Sequence, residues 1–227
     1  MSVRVKICGL NDRAACEAAL AARADFGGLV FFPASPRHVG LDRARDLAAL
    51  LRGRVRVVTL MVDPSDGEVE QVMAAAAPDF LQLHGKETPA RVAAVASLAQ
   101  RPVIKAIAVA EAGDVARAYA YEEVAEYILF DAKADIAATR PGGLGAAFDW
   151  QLLTGHRFKR PWGLAGGLSA ENIARAIRIA RPEFVDASSG VEDAPGKKSA
   201  EKIAAFVSNA RNALYTDQKA GEKAGAE

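Results

Sequence analysis

Cysteine is scarce in this chain, with two residues in 227, and histidine nearly as scarce, with three. Two thiols make no disulfide framework, and three histidines without a His-x-His or paired-carboxylate spacing make no metal site, so neither a metal nor another cofactor is expected. Neither sign of charge dominates: 29 Lys and Arg stand against 28 Asp and Glu, for a net charge of +1. That balance leaves no electrostatic footprint for nucleic acid or an anionic membrane surface. No apolar run is long enough to span a bilayer, and the N-terminus lacks the apolar stretch of a signal peptide. These absences together point to a cytoplasmic protein whose partner is a small molecule. What is plentiful is hydrophobic content, at 51%, enough for one domain with a substantial core.

Short β-branched or aromatic runs alternate with Ala-, Arg- and Leu-rich stretches of helical spacing. Strands are predicted at 3–7, 27–32, 56–62, 80–84, 103–108, 127–131, 161–165 and 184–187, and helices at 12–23, 41–51, 66–76, 88–98, 112–119, 148–153, 170–180 and 197–214. Asp12, Asp42, Ser65, Thr88 and Ser169 sit near the helix starts, where a side-chain oxygen can accept from unpaired N–H groups. Eight strand-helix units in one stretch predict an α/β fold of a single domain over residues 1–215, a (β/α)₈ TIM barrel. Residues 132–147 form a connection too long for a plain βα turn and are expected to be a mobile lid. Residues 216–227 lack large apolar groups and are expected to be a disordered tail.

A barrel of this kind carries its chemistry at the C-terminal ends of its strands. Those ends are polar here: Cys8-Gly9, Ser35-Pro36-Arg37, Asp63, Gln82-Leu83-His84-Gly85, Asp131, Gly166-Gly167-Leu168 and Asp186-Ala187-Ser188-Ser189-Gly190. Gly166-Gly167 is read as opening into a helix capped at Ser169, and Ser188-Ser189-Gly190 follows the eighth strand. Glycine lets backbone N–H groups approach an anion, and the loops after strands seven and eight are the usual phosphate site of such barrels. Lys6 shares a strand face with Cys8 and, on closure, would meet Asp186. An ammonium there would favour the Cys8 thiolate. Gln82, His84 and Asp63 are expected in the lining. Taken singly, Cys8 could be a small buried hydrophobe, Asp131 a loop residue and Arg37 an exposed cation.

Taken in order, Lys6-Ile7-Cys8-Gly9, Ser35-Pro36-Arg37, Gln82-Leu83-His84-Gly85, Phe148-Asp149-Trp150, Ala165-Gly166-Gly167-Leu168 and Asp186 through Glu192 resemble the motifs of the phosphoribosylanthranilate isomerases. The resemblance implies a barrel enzyme of tryptophan biosynthesis that performs an Amadori rearrangement on a phosphoribosyl substrate, without cofactor or metal. It makes Cys8 the general base, Asp131 the general acid and Arg37 the grip on the anthranilate carboxylate. Gly166, Gly167, Ser188, Ser189 and Gly190 then hold the phosphate, with Asp186 and His84 also at the substrate, and burial under the 132–147 loop is expected to keep Asp131 protonated. Leu144 departs from the family, which often has a hydroxyl residue there. A monomer and a homodimer would serve equally. Two alternatives carry the same phosphate loops: another phosphosugar barrel enzyme, with metal-binding histidines or a carboxylate pair, and a non-catalytic phosphate-binding barrel.

Overall fold

The first strand, β1 (Arg4–Cys8), pairs in parallel with both its sequence neighbour and the last strand, which closes the sheet on itself. The computed structural model describes residues 3–132 and 148–213. Eight strands run in barrel order: β1, β2 (Phe26–Phe31), β3 (Arg56–Met61), β4 (Phe80–Leu83), β5 (Val103–Val109), β6 (Tyr127–Ala132), β7 (Trp162–Leu164) and β8 (Phe184–Ala187). All eight lie where the β-type runs predict them. The outer layer holds α1 (Arg13–Ala21), α2 (Leu41–Leu51), α3 (Asp66–Ala76), α4 (Pro89–Ala99), α5 (Ala112–Ala116), α6 (Ile173–Ala180) and α7 (Ala200–Asn212). None of the helices among the described residues is long and apolar enough to cross a membrane.

Helix starts follow local chemistry. Asp12 accepts from the Ala15 N–H, Ser65 forms a capping box with Glu68, and Thr88 caps a helix that begins with Pro89; such caps contribute about 1 kcal/mol each. Asp42 is not a cap: Gly40 holds that position, and Asp42 lies in the first turn, where its charge suits the helix N-terminus. Three segments are less helical than their composition suggests. After α5 the chain tightens into a 3₁₀ turn (Arg117–Tyr121), and the described part of the sixth connection holds the 3₁₀ turn Trp150–Leu153 before Gly155. The stretch read as helix from 197 opens instead with a hairpin of β9 (Glu192–Ala194) and β10 (Lys197–Lys198), because Gly196, at φ +80, reverses the chain. The lid expected at 132–147, Leu144 included, and the tail at 216–227 lie outside the described residues, apart from Ala132 at the end of β6.

Strand alternation divides the core in two. Outward residues such as Val5, Ile7, Leu29, Leu81 and Val185 pack against the helices, while Phe26, Val58, Phe80, Ile104, Tyr127, Leu129 and Phe184 fill the barrel. At its N-terminal end the interior is aromatic: the rings of Phe26, Phe80, Tyr127 and Phe184 lie with centroids 5.6–6.0 Å apart. The Arg4 guanidinium covers Phe26 and Tyr127 and donates to the Tyr127 hydroxyl at 2.8 Å. Toward the C-terminal ends of β1, β4, β6 and β8 the interior turns polar. Arg4 gives way to Lys6 and Cys8, Phe80 to Gln82 and His84, Tyr127 to Leu129 and Asp131, Phe184 to Asp186 and Ser188.

The aromatic floor depends on an absent side chain at one point. A Cβ on Gly163 would run into the Phe184 ring. Gly163→Ala is therefore expected to destabilise the barrel by about 1–3 kcal/mol through overpacking, read as a lower urea midpoint at unchanged m-value; an unchanged midpoint would contradict this packing.

Candidate active site

At the polar end the barrel opens into a cavity lined by Cys8, Arg37, His84, Asp131, Asp186 and the loops after β7 and β8, a concave site of mixed polar and apolar character as small-molecule sites usually are. Gly166 and Gly167 follow β7 with φ of +85° and +60°, a left-handed backbone that glycine adopts without strain. Asn172 then closes the turn, accepting from the Ser169 N–H and donating to the Gly167 carbonyl. Residues 168–172 are spent in that turn, so α6 starts at Ile173 and Ser169 does not cap it. After β8, Ser188 precedes a 3₁₀ turn, Ser189–Val191, whose first N–H groups have no partner within the turn. Gly166, Gly167, Ser188 and Ser189 face the cavity. Gly190 stands behind them, and a Cβ there would collide with the Leu168 carbonyl, so its smallness lets the two loops meet.

Below the cavity, Lys6 is fully buried and its Nζ lies 2.8 Å from Asp186 Oδ2. The two residues are directly opposite in the β1/β8 register. Burial works against the Lys6 ammonium, but Asp186 and the Cys8 sulfur more than offset it and hold its pKa above the ordinary lysine value. Asp186 sits above the usual carboxylate range because burial outweighs Lys6. Its Oδ1 is buried without a protein partner. Room for this pair comes from Gly28 on β2, where a Cβ would lie 3.1 Å from Cys8 Sγ and 3.4 Å from Lys6 Nζ. A double glycine inside a strand signals such a close approach.

Arg37 is buried, and its Nε and one terminal nitrogen donate to Glu192 Oε1 and Oε2 at 2.7 and 2.8 Å. The side-on fork expected for a ligand carboxylate is thus taken by the protein, leaving the terminal edge for the cavity. Glu192 is half of that arrangement and carried no expected role, although it closes the Asp186–Glu192 run. Both ring nitrogens of His84 are also used internally. Nε2 lies 3.1 Å from Asp131 Oδ2, and Nδ1 lies 3.0 Å from the Gln82 amide nitrogen. His84 therefore reads as a brace for Asp131 rather than as a contact for substrate. Asp63 does not line the cavity; it accepts from the Lys86 N–H. Its own N–H goes to Glu87, whose carboxylate pairs with buried Lys105 at 2.7 Å and fixes the loop beside His84. Among the described residues no group of three His, Cys, Asp or Glu is placed to hold a metal ion.

A model of the N-(5'-phosphoribosyl)anthranilate isomerase family matches residues 5–209. The isomerase of that name from Rhodopseudomonas palustris strain BisA53 is 53% identical over 211 residues, covering 93% of this chain and 97% of its own. Its counterpart in Paramagnetospirillum magneticum is 48% identical over 211 residues, 93% of this chain and 98% of its own. Among solved structures, phosphoribosyl anthranilate isomerase from Thermotoga maritima superimposes with a TM-score of 0.84 at 36% identity, over 92% of this chain and 99% of its own. A phosphoribosyl anthranilate isomerase in complex with reduced 1-(o-carboxyphenylamino)-1-deoxyribulose 5-phosphate superimposes with a TM-score of 0.81 at 34% identity, over 92% and 99% of the two chains.

The two thiols differ in a way that the sequence does not show. Cys16 is sealed on the inner face of α1, and burial, with Asp12 next, pushes it to about 12. Cys8 borders the cavity, yet burial raises it too, against the pull of Lys6 and Lys198. The expected gain from Lys6 is real in sign and outweighed in size, because removing a thiolate from water costs more than one paired ammonium returns. Iodoacetamide at pH 8.5 is expected to label Cys8 slowly and Cys16 not at all, by mass spectrometry of the two peptides; equal labelling would contradict this arrangement.

Proposed function

The chain belongs to the N-(5'-phosphoribosyl)anthranilate isomerase family and is an aldose–ketose isomerase of tryptophan biosynthesis; we propose that, among its own residues, Cys8 is the general base and Asp131 the general acid. The reading rests on one observation: the two side chains line a single cavity from β1 and β6, strands separated on the barrel wall. A sugar held between them meets proton donor and acceptor on different sides. The substrate phosphate takes the Gly166-Gly167 and Ser188-Ser189 loops, and the anthranilate carboxylate takes the terminal edge of Arg37.

Asp131, braced by His84, gives its proton to the furanose oxygen while the C1–O bond breaks and the nitrogen lone pair forms an iminium. Cys8 as thiolate then takes the proton from C2, and that C–H electron pair neutralises the iminium to give an enolamine. Loss of the O2 proton and gain of one at C1 complete the ketose, with no net change in atoms. Burial that keeps the thiol protonated at rest also makes its thiolate a stronger base toward a C–H bond. The iminium supplies a transient positive charge as that thiolate is needed. The base requires a free thiol, and we place the enzyme in the cytoplasm, where thiols stay reduced.

Purified protein incubated with N-(5'-phosphoribosyl)anthranilate should consume its fluorescence. Cys8→Ala and Asp131→Asn should each lower kcat by about 10²–10⁴-fold with little change in KM; full activity in either would refute its role. For Arg37→Ala, KM should rise roughly 10- to 100-fold, as for a lost charge-assisted hydrogen bond, with a smaller effect on kcat. The reverse split would assign Arg37 to chemistry.

A further inference from the structure

Gln82 is a buried amide that the acid–base reading leaves unused. It lies on β4, fully buried, and strand alternation puts it on the same inner face as His84, just past the strand end. Its amide nitrogen lies 3.0 Å from His84 Nδ1, and the other ring nitrogen, Nε2, lies 3.1 Å from Asp131 Oδ2. The Gln82 carbonyl oxygen, Oε1, is buried with no partner among the described residues, although the residue borders the cavity. One amide, one ring and one carboxyl thus form a line that ends on the general acid.

The ring is fixed from behind. Lys105 Nζ donates to the Gly85 carbonyl at 2.9 Å and lies 3.4 Å from the Leu83 carbonyl, so it grips the backbone on both sides of His84. Glu87, paired with Lys105, accepts from the Gly85 N–H. The remaining titratable groups on the cavity are Asp186 on β8, which feels both His84 and Asp131, Cys8 on β1 and Arg37 from the loop after β2. With the ring held, the amide is the movable part: its two ends are nearly the same size, and a half-turn about its last bond exchanges them. A neutral imidazole carries one proton, and the partner of one nitrogen decides which nitrogen holds it. With the amide N–H toward Nδ1, Nε2 holds the proton and donates to an Asp131 carboxylate, which is an acid already spent. With the carbonyl toward Nδ1, Nε2 is bare and accepts from the Asp131 O–H, which is an acid ready to act.

We propose that Gln82 is a positioning residue for the acid: by presenting its carbonyl to the His84 Nδ1–H it leaves Nε2 as an acceptor and keeps the working proton on Asp131. The orientation found here, with the amide nitrogen toward Nδ1, corresponds to the carboxylate left after that proton has gone to the substrate. Each orientation spends one end of the amide and leaves the other unpaired, so the proton between His84 and Asp131 decides between them. The proposal rests on Asp131 being the acid, and it gives the spacing of Gln82 and His84 a task in the reaction.

The test reads the ring proton apart from turnover, by nitrogen NMR of enzyme labelled with ¹⁵N-histidine, in which a protonated ring nitrogen and a bare one resonate apart. The chain has three histidines, and His84→Gln identifies the His84 signals by their loss. In the wild-type enzyme at neutral pH, Nδ1 of His84 should carry the proton and Nε2 should be bare. Gln82→Glu, whose carboxylate only accepts, should keep Nδ1 protonated. Gln82→Leu removes the acceptor, and the proton should move to Nε2 against an Asp131 carboxylate. Its kcat should then fall about 10²-fold at neutral pH with little change in KM. The alkaline limb of its kcat profile should move down by about one pH unit, since a donor on the carboxylate makes the acid lose its proton earlier. A merely structural role would lower kcat without moving the limb or the tautomer. A wild-type ring protonated at Nε2 alone or at both nitrogens would overturn the proposal, as would an alkaline limb that stays in place in Gln82→Leu. If Gln82→Leu fails to fold, the wild-type ring signals and Gln82→Glu still decide it. An active Asp131→Asn enzyme would instead remove the acid reading, a result separate from the tautomer of His84.

Discussion

The ion pair between Lys6 and Asp186 holds this molecule's structure and chemistry at one point. It lies where the first strand meets the last, so the contact that completes the barrel is also the one beneath the Cys8 thiol. As a source of stability such a pair is weak, because taking both charges out of water costs about as much as their attraction returns, and well-packed apolar residues often do as well. Removing one partner alone is another matter, leaving a bare charge in the interior. The pair is thus better understood as an electrostatic fixture: it places a permanent cation against the Cys8 sulfur and keeps it there by making its loss expensive.

Other charges extend the same device upward. Arg37 and Lys198 share Glu192, Lys105 and Glu87 lock the loop after β4, and His84 braces Asp131. Each of these side chains has its partner on a different strand or loop, so moving any one of them disturbs a neighbour. Rigidity at this end comes from charge-assisted hydrogen bonds, each fixed in direction, whereas at the other end it comes from packed rings. The division suits the work, since a polar wall that must discriminate protons needs defined geometry and a floor that supports it needs only volume.

Much of this was legible in the residues. Eight β-type runs, the caps at Asp12, Ser65 and Thr88, and the polar list of strand ends place the barrel and most of the polar cavity lining, though not its apolar side at Val30, Phe32, Leu60 and Val62, because alternation and capping are local properties of the chain. What could not be read is set by contacts distant in sequence. Glu192 and Lys198 look like ordinary surface charges in a stretch of helical composition, and only the left-handed turn at Gly196 folds them inward. Ser169 resembles a cap until Asn172 takes over the turn. The Cys8 thiol shows the deepest limit: a lysine two residues away predicts the sign of one influence, while the burial that outweighs it depends on the closed barrel.

The aromatic floor has a consequence for traffic. Phe26, Phe80, Tyr127 and Phe184, covered by Arg4, block the barrel axis, so the cavity is blind at its inner end. Substrate and product share one doorway, and a departing ketose must clear it before the next aldose can enter. Exit and arrival compete for the same opening, which ties the enzyme's throughput to vacating the mouth as well as to the speed of the proton transfers within.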